Sequence, residues 1–271
     1  MSRISIVGIA YERELVPPRN QRRIEDADVV VGDKSFLGQI EDLVRRDAVA
    51  VDPTEDDEDF RGSRVIFALN SAREGKDVVL VSSGDPGIWG MAPYVLNRMC
   101  ADGAEPDGAG RVHVDILPAP AAFQITAGKA GAPLQDGFVA CSLCDDLTPE
   151  DTVDRRLDAA AGSGMATVVY KPRYNAEIMP KKYPRERFPH LHPARERSDR
   201  RLADLFDVFL SARPATTPVV LARNLGEPDE SVSVRTLTDL RSSVADIPFF
   251  AVLIICGEHT VEVGPYMSVD R

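Results

Sequence analysis

Between Val78 and Ala92 the chain reads VVLVSSGDPGIWGMA. Four aliphatic residues closed by two serines read as a strand, and the Gly84-Asp85-Pro86-Gly87 that follows reads as a tight turn into a helix. A structural turn uses one or two such residues, whereas a turn built for a ligand has a use for all of them. The plainer alternative is a β–α turn in which Asp85 caps the next helix.

Working outward, the same texture recurs. Short apolar runs, ISIVGI (Ile4–Ile9), ADVVVG (Ala27–Gly32) and VHVDIL (Val112–Leu117), alternate with amphipathic stretches such as KSFLGQIEDLVRR and DFRGSRVIFALNSAREG, the second stopped by Gly75. Continuous apolar strands alternating with helices predict a parallel sheet covered on both faces. PAPAAF (Pro118–Phe123) breaks the pattern and reads as a linker. After it the strand-like runs GFVACSL, MATVVYK, TPVVLARN, SVSVRTL and FFAVLII lie closer together and alternate more. Two α/β domains are predicted, 1–118 and 121–271, the second carrying a long aperiodic loop over 172–199.

Composition narrows the function class. The 271 residues carry a net charge of −11, which argues against nucleic acid as the main partner. The longest apolar run, Ile247–Cys256, is far short of the ~20 residues that a membrane helix needs. The N-terminus has no signal-peptide pattern, which predicts a cytoplasmic protein without a membrane partner. Four cysteines are too few for a disulfide scaffold.

The motifs converge on one family. SSGDPGIWGMA closely resembles the glycine-rich loop of the tetrapyrrole (corrin/porphyrin) methylases. Gly131–Leu157 (GAPLQDGFVACSLCDDLTPEDTVDRRL) and Pro218–Leu240 (PVVLARNLGEPDESVSVRTLTDL) resemble its precorrin-3B C(17)-methyltransferase branch. The resemblance implies a two-domain α/β fold, each domain a mixed, mostly parallel sheet flanked by helices, with the active cleft between the domains. It implies S-adenosylmethionine (SAM) as methyl donor, S-adenosylhomocysteine as product, a tetrapyrrole substrate and a homodimer. Carried over position by position, it assigns Ser83, Gly84, Asp85 and Ile88 to the cofactor, with Ala121 and Ala122 where the family has Thr-Ala. In VVYKPRY, Tyr170, Pro172 and Arg173 match and Lys171 does not; Lys171 either lines the cofactor cleft or is a solvated lysine past a strand end. In ARNLG, Leu225 falls near the adenine, or marks a plain strand exit. Trp89 is either a wall of the tetrapyrrole trough or packing at a helix start.

The first loop departs from the family. Where Gly-x-Gly-Pro-Gly-Asp-Pro is usual, this chain has GIAYERE (Gly8–Glu14). Only the first glycine is kept, and Arg13 stands in place of the aspartate. Arg13 either binds a substrate carboxylate through its guanidinium fork or is a surface arginine paired with Glu12 or Glu14. CGEHT (Cys256–Thr260), where the family often has Gly-Asn-Ser, is read as another altered ligand-facing segment. No catalytic acid, base or nucleophile is singled out.

Other chemistry is weaker. Cys141 and Cys144 have Cys-x-x-Cys spacing, but there is no second pair and strand alternation separates their side chains. His190 and His192 are read as solvated, and Asp52–Phe60 as an acidic turn; no metal site is predicted. Two functions follow: a SAM-dependent C-methyltransferase acting on a precorrin or cobalt-precorrin, with C(17) methylation and ring contraction, or a non-catalytic or substrate-shifted paralogue that binds SAM or a tetrapyrrole beside an active relative.

Overall fold

Five of the apolar runs pair side by side: β1 (Arg3–Ile9), β2 (Val29–Val31), β3 (Val49–Val51), β4 (Asp77–Ser83) and β5 (His113–Leu117). They form one wholly parallel sheet in the order β3-β2-β4-β1-β5. Helices α1 (Pro18–Glu25), α2 (Lys34–Gln39), α3 (Phe60–Arg73) and α4 (Ala92–Ala101) connect them. In the computed structural model this is the first of two compact units, Met1–Ala122 and Phe123–Arg271; residues 2–53, 60–103, 112–143, 149–173 and 193–270 are described.

The period-2 alternation of the strands decides which helix covers which face. Ile4, Ile6, Val78 and Leu80 pack with Val65 and Leu69 of α3 and Val95 of α4. Ser5 points the other way, where Arg23 of α1 donates from Nε to its Oγ at 2.8 Å and pairs with Asp77. Helices leaving the adjacent strands β1 and β4 therefore run along opposite faces, and the chain diverges between these two strands. In an open parallel sheet, that divergence opens a crevice at the carboxyl ends of the strands, the usual place for a ligand.

The second unit holds a sheet built from β6 (Phe138–Ser142), β7 (Ala166–Tyr170), β8 (Pro218–Arg223), β9 (Ser231–Thr236) and β10 (Ala251–Ile255). Its order is β6-β7-β10-β8-β9, with β6–β7 parallel and the other pairings antiparallel. Parallel pairing thus dominates the first sheet, and the second is mixed. Helix α5 (Ala122–Ala130) begins at the unit boundary; α6 (Glu150–Gly162), α7 (Pro193–Ala212) and α8 (Leu237–Ser242) follow, and β11 (Thr260–Val263) and β12 (Tyr266–Val269) close the chain as a hairpin. Leu202, Leu205, Phe206 and Phe209 of α7 pack on Leu221, Leu253 and Ile255. Arg213, at the end of α7, is buried and donates to four carbonyls, those of Ala160, Ala161, Met165 and Cys256, at 2.7–3.1 Å.

The loop expected over 172–199 is shorter than its composition suggests, because α7 starts at Pro193. Proline is favoured in a first helical turn, and the apolar i, i+3, i+4, i+7 stripe that marks the helix begins only at Leu202. Residues 174–192, with His190 and His192, lie outside the described residues, as do Cys144 and most of the acidic turn after Asp52. Among the described residues, no helix is long and apolar enough to cross a membrane.

Candidate active site

In a parallel sheet all carboxyl ends share one edge, so the loops after β1, β4 and β5 meet. Ile9 and Ser83 are the last paired residues of β1 and β4. Immediately beyond them, Gly84 turns with φ +60°, donates its N–H to Ile9 O at 2.7 Å and accepts at its carbonyl from Ala119 N–H at 3.2 Å. A Cβ on Gly84 would lie 3.0 Å from Ala121 Cα, and one on Gly8 would run into the Gly84 carbonyl. The glycines of this turn are thus needed first by the protein, to bring three strand ends into backbone contact. Ser83, Gly84, Asp85, Ile88, Trp89, Ala121 and Ala122 all gather at this edge.

Asp85 does not cap α4. Its Oδ1 accepts from Gly87 N–H at 2.8 Å, an Asx turn that fixes the loop, and its carbonyl accepts from Ile88 N–H at 3.0 Å. The residue before α4 is Met91, whose N–H donates to Ser82 Oγ at 3.2 Å. Among the described residues, the Asp85 N–H and Oδ2 carry no hydrogen bond, and they are two polar groups of the turn that a ligand can use.

Arg13 sits in a short 3-10 turn, Arg13–Leu15, on the loop after β1. Its partner is neither Glu12 nor Glu14 but Asp42, Nη2 to Oδ2 at 3.4 Å. Local sequence gives no sign of this contact, since Asp42 arrives from the turn after α2. Arg13 Nε is shielded from solvent and, among the described residues, has no hydrogen-bond partner.

The second unit has a comparable edge. Strands β7 and β8 both run antiparallel to β10 between them, so Lys171 after β7 and Leu225 after β8 emerge on the same side. Tyr170 Oη accepts from Phe123 N–H at 3.2 Å, and Arg173 donates to the carbonyls of Ala245 and Ile247. Leu225 is buried in a turn whose flanking residues, Asn224 and Gly226, have φ of +47° and +79°. Asn224 Nδ2 donates to Asp229 Oδ2 at 2.7 Å. Glu230 accepts from Gly226 N–H at 2.8 Å and pairs with Lys129 at 2.6 Å. The Gly226 N–H first, and then Lys129, hold the Glu230 carboxyl below its usual range. CGEHT leaves β10 at the opposite edge, where Cys256 N–H donates to Pro218 O, so its divergence does not bear on the Lys171–Leu225 edge.

Backbone strain marks the same loops. Among the described residues, three non-glycine positions have positive φ: Trp89 (+51°), Lys171 (+43°) and Asn224 (+47°). Each follows a strand that ends at one of the two edges. Such conformations cost on the order of 1–3 kcal/mol and cluster where a ligand or mechanism needs them.

The comparisons with known proteins agree with this layout. The family model described as Tetrapyrrole (Corrin/Porphyrin) Methylases matches residues 3–241. The chain belongs to this family. It is 33% identical over 245 residues to a probable cobalt-factor III C(17)-methyltransferase of Methanothermobacter thermautotrophicus, covering 90% of this chain and 60% of that protein. It is 30% identical over 227 residues to a precorrin-3B C(17)-methyltransferase of Sinorhizobium sp, covering 82% and 79% of the two chains. Among solved structures, that of the methyltransferase CobJ matches with a TM-score of 0.79 at 26% identity over the full length of both chains.

In this member of the family, residues beyond the motifs also shape the site. Asn20 on α1 is 2% exposed, and its Nδ2 donates to the carbonyls of Gly8 (2.8 Å), Leu117 (3.2 Å) and Pro118 (3.1 Å), tying the ends of β1 and β5 together. The one sequence signal was a polar residue four before the buried Ile24, on the apolar face of its helix. Cys141 faces the helical layer, and burial pushes its thiol up to about 11, far from a reactive thiolate.

Proposed function

We propose that the protein is a SAM-dependent C-methyltransferase of cobalamin biosynthesis, acting on a precorrin or cobalt-precorrin with methylation at C(17) and ring contraction. The observation that carries this reading is the Gly84–Ile88 turn, locked by backbone contacts at the point where the first sheet diverges and leaving the Asp85 N–H and Oδ2 for a polar ligand. Ser83, Gly84, Asp85, Ile88, Ala121 and Ala122 are the proposed cofactor contacts of the first unit, and Lys171 and Leu225 those of the second. Arg13 and Trp89 are the proposed substrate contacts. The names of the relatives and the methylase family support the reaction class.

SAM supplies a methyl group already activated on a positive sulfur. An electron pair of the ring carbon forms the new C–C bond, the S–CH3 bond breaks with its pair left on sulfur, and S-adenosylhomocysteine departs. The protein's share is to align carbon, methyl and sulfur and to exclude water; such positioning supplies roughly 7–11 kcal/mol of the barrier. The turn and the strained residues at the strand ends suit that task, because the turn is held by the protein's own hydrogen bonds. A cytoplasmic homodimer is proposed from the family alone.

Calorimetric titration with S-adenosylhomocysteine, followed by incubation of the enzyme with SAM and cobalt-factor III, tests the reading. Binding and a mass gain of one methyl group are expected. Binding without turnover favours the second reading, a non-catalytic paralogue, for which the loss of the first-loop aspartate to Arg13 speaks. No binding overturns both cofactor-based readings.

A further inference from the structure

Arg13 is paired as though provisionally. Its Nη2–Asp42 distance of 3.4 Å is well outside the 2.7–2.9 Å of a good charge-assisted bond, and Asp42 keeps 66% of its side chain exposed. Its Nε, one of the two donors that make a bidentate fork with a carboxylate, is shielded and has no acceptor among the described residues. The arginine stands on the loop after β1, at the diverging edge of the sheet, and on a short 3-10 turn, not in a regular helix. A guanidinium meant only to hold the fold would use its fork, as Arg213 and Arg23 do in this same protein.

We infer that the Arg13–Asp42 pair is a latch that a ring carboxylate of the substrate opens: Arg13 leaves Asp42 and takes the carboxylate through Nε and one Nη. This rests on the tetrapyrrole reading above and deepens it, because it assigns recognition of the acidic side chains of the ring to this residue and makes Asp42 the competitor that sets its strength. Asp42 is then a positioning residue, in contact with Arg13 and not with the ligand.

Trp89 is the chain's single tryptophan and lies at the same edge, 45% exposed, so its fluorescence reports binding directly. The probe is uroporphyrin, titrated into wild type, Arg13→Ala, Arg13→Lys and Asp42→Asn, with coproporphyrin, which carries half as many carboxylates, as comparison. Arg13→Ala weakens uroporphyrin binding tenfold or more, Arg13→Lys restores part of it, and Asp42→Asn tightens it about threefold; coproporphyrin, whose fewer carboxylates meet the same guanidinium, shifts in the same directions. S-adenosylhomocysteine affinity, measured in parallel, stays within twofold in all variants. Unchanged uroporphyrin affinity in Arg13→Ala, equal weakening by Asp42→Asn, or no quenching of the wild type by uroporphyrin each overturns the latch. Should Arg13→Ala fail to fold, Asp42→Asn decides alone: only tighter binding supports the proposal. Loss of S-adenosylhomocysteine binding in the wild type sinks the underlying function instead, and the two failures are read from different ligands.

Discussion

Replacing Asn20 tests whether the edge of the first sheet is held by one amide. Its Nδ2 carries two hydrogens and serves three carbonyls, those of Gly8, Leu117 and Pro118. Each buried carbonyl that loses its donor costs about 1–3 kcal/mol, and two full hydrogen bonds are at stake. Asn20→Leu, similar in branching but without a donor, is expected to lose about 2–5 kcal/mol. Asn20→Ala loses less, about 2–3 kcal/mol, because the space it opens admits water that can bond the carbonyls. Asn20→Asp is worst at neutral pH, since a carboxylate would face three carbonyl oxygens. Burial and repulsion raise that carboxyl's pKa in the folded state, so its deficit is complete above the raised value and shrinks as pH falls towards the ordinary aspartate range. Urea unfolding at pH 7 and pH 5 reads all three variants, with lower midpoints at unchanged slope. A midpoint for Asn20→Leu equal to wild type would refute the reasoning, for it would mean that the three carbonyls do not depend on the amide.

Glu230→Gln keeps an acceptor for Gly226 N–H but loses the charge and the Lys129 pair. A loss of about 1 kcal/mol in the order of the Leu225 turn is expected, read as roughly fivefold weaker S-adenosylhomocysteine binding by calorimetry. Because the Glu230 pKa is depressed, its contribution is fully present above the ordinary glutamate range and fades only as pH falls through the depressed value; wild-type cofactor affinity flat from pH 8 to 6, with Glu230→Gln lower but equally flat, fits, and a wild-type loss in that window does not. Arg213→Lys cannot reach four carbonyls from one ammonium and is expected to destabilise by about 3 kcal/mol, measured by thermal melting. Under native conditions at pH 8, iodoacetamide should label Cys100, which is exposed, and spare Cys141 and Cys256, whose thiols burial raises to about 11 and about 12; peptide mapping of rapid Cys141 labelling would contradict its packing.

Much of the fold was legible because buried strands carry their own signature. The run Val78–Val81 and its turn announced a parallel sheet, and the composition shift after PAPAAF marked a change of architecture. The mixed pairing of the second sheet was harder to read, since β7, β8 and β10 have similar apolar patterns whichever way they run. In the loop after β4, residue types with a local mechanism, the glycines and Asp85, were legible as a tight turn. Contacts made at long range were not: Asn20 reaches 97 residues along the chain to Leu117, and Asp42 comes to Arg13 from another loop. A pairing between two loops leaves no periodicity in either. The start of α7 was hidden for a different reason, because its first turns are polar and only the later ones face the core.

Gly8 bears on how such a loop can drift. Its missing side chain is claimed by the Gly84 carbonyl, the Ala119 amide and the Leu117 carbonyl, none of which depends on what the protein binds. Residues from Tyr11 to Glu14 stand past that contact and beyond the last paired residue of β1, where exchanging a side chain leaves the β1–β4 pairing intact. An unchanged Gly8 in a diverged relative therefore testifies to inheritance of a backbone, whereas the residues beyond it are released from that requirement. Homologues sorted by that rule would be grouped by residues 11–14 and by the partner of residue 13, with position 8 silent on what each of them methylates.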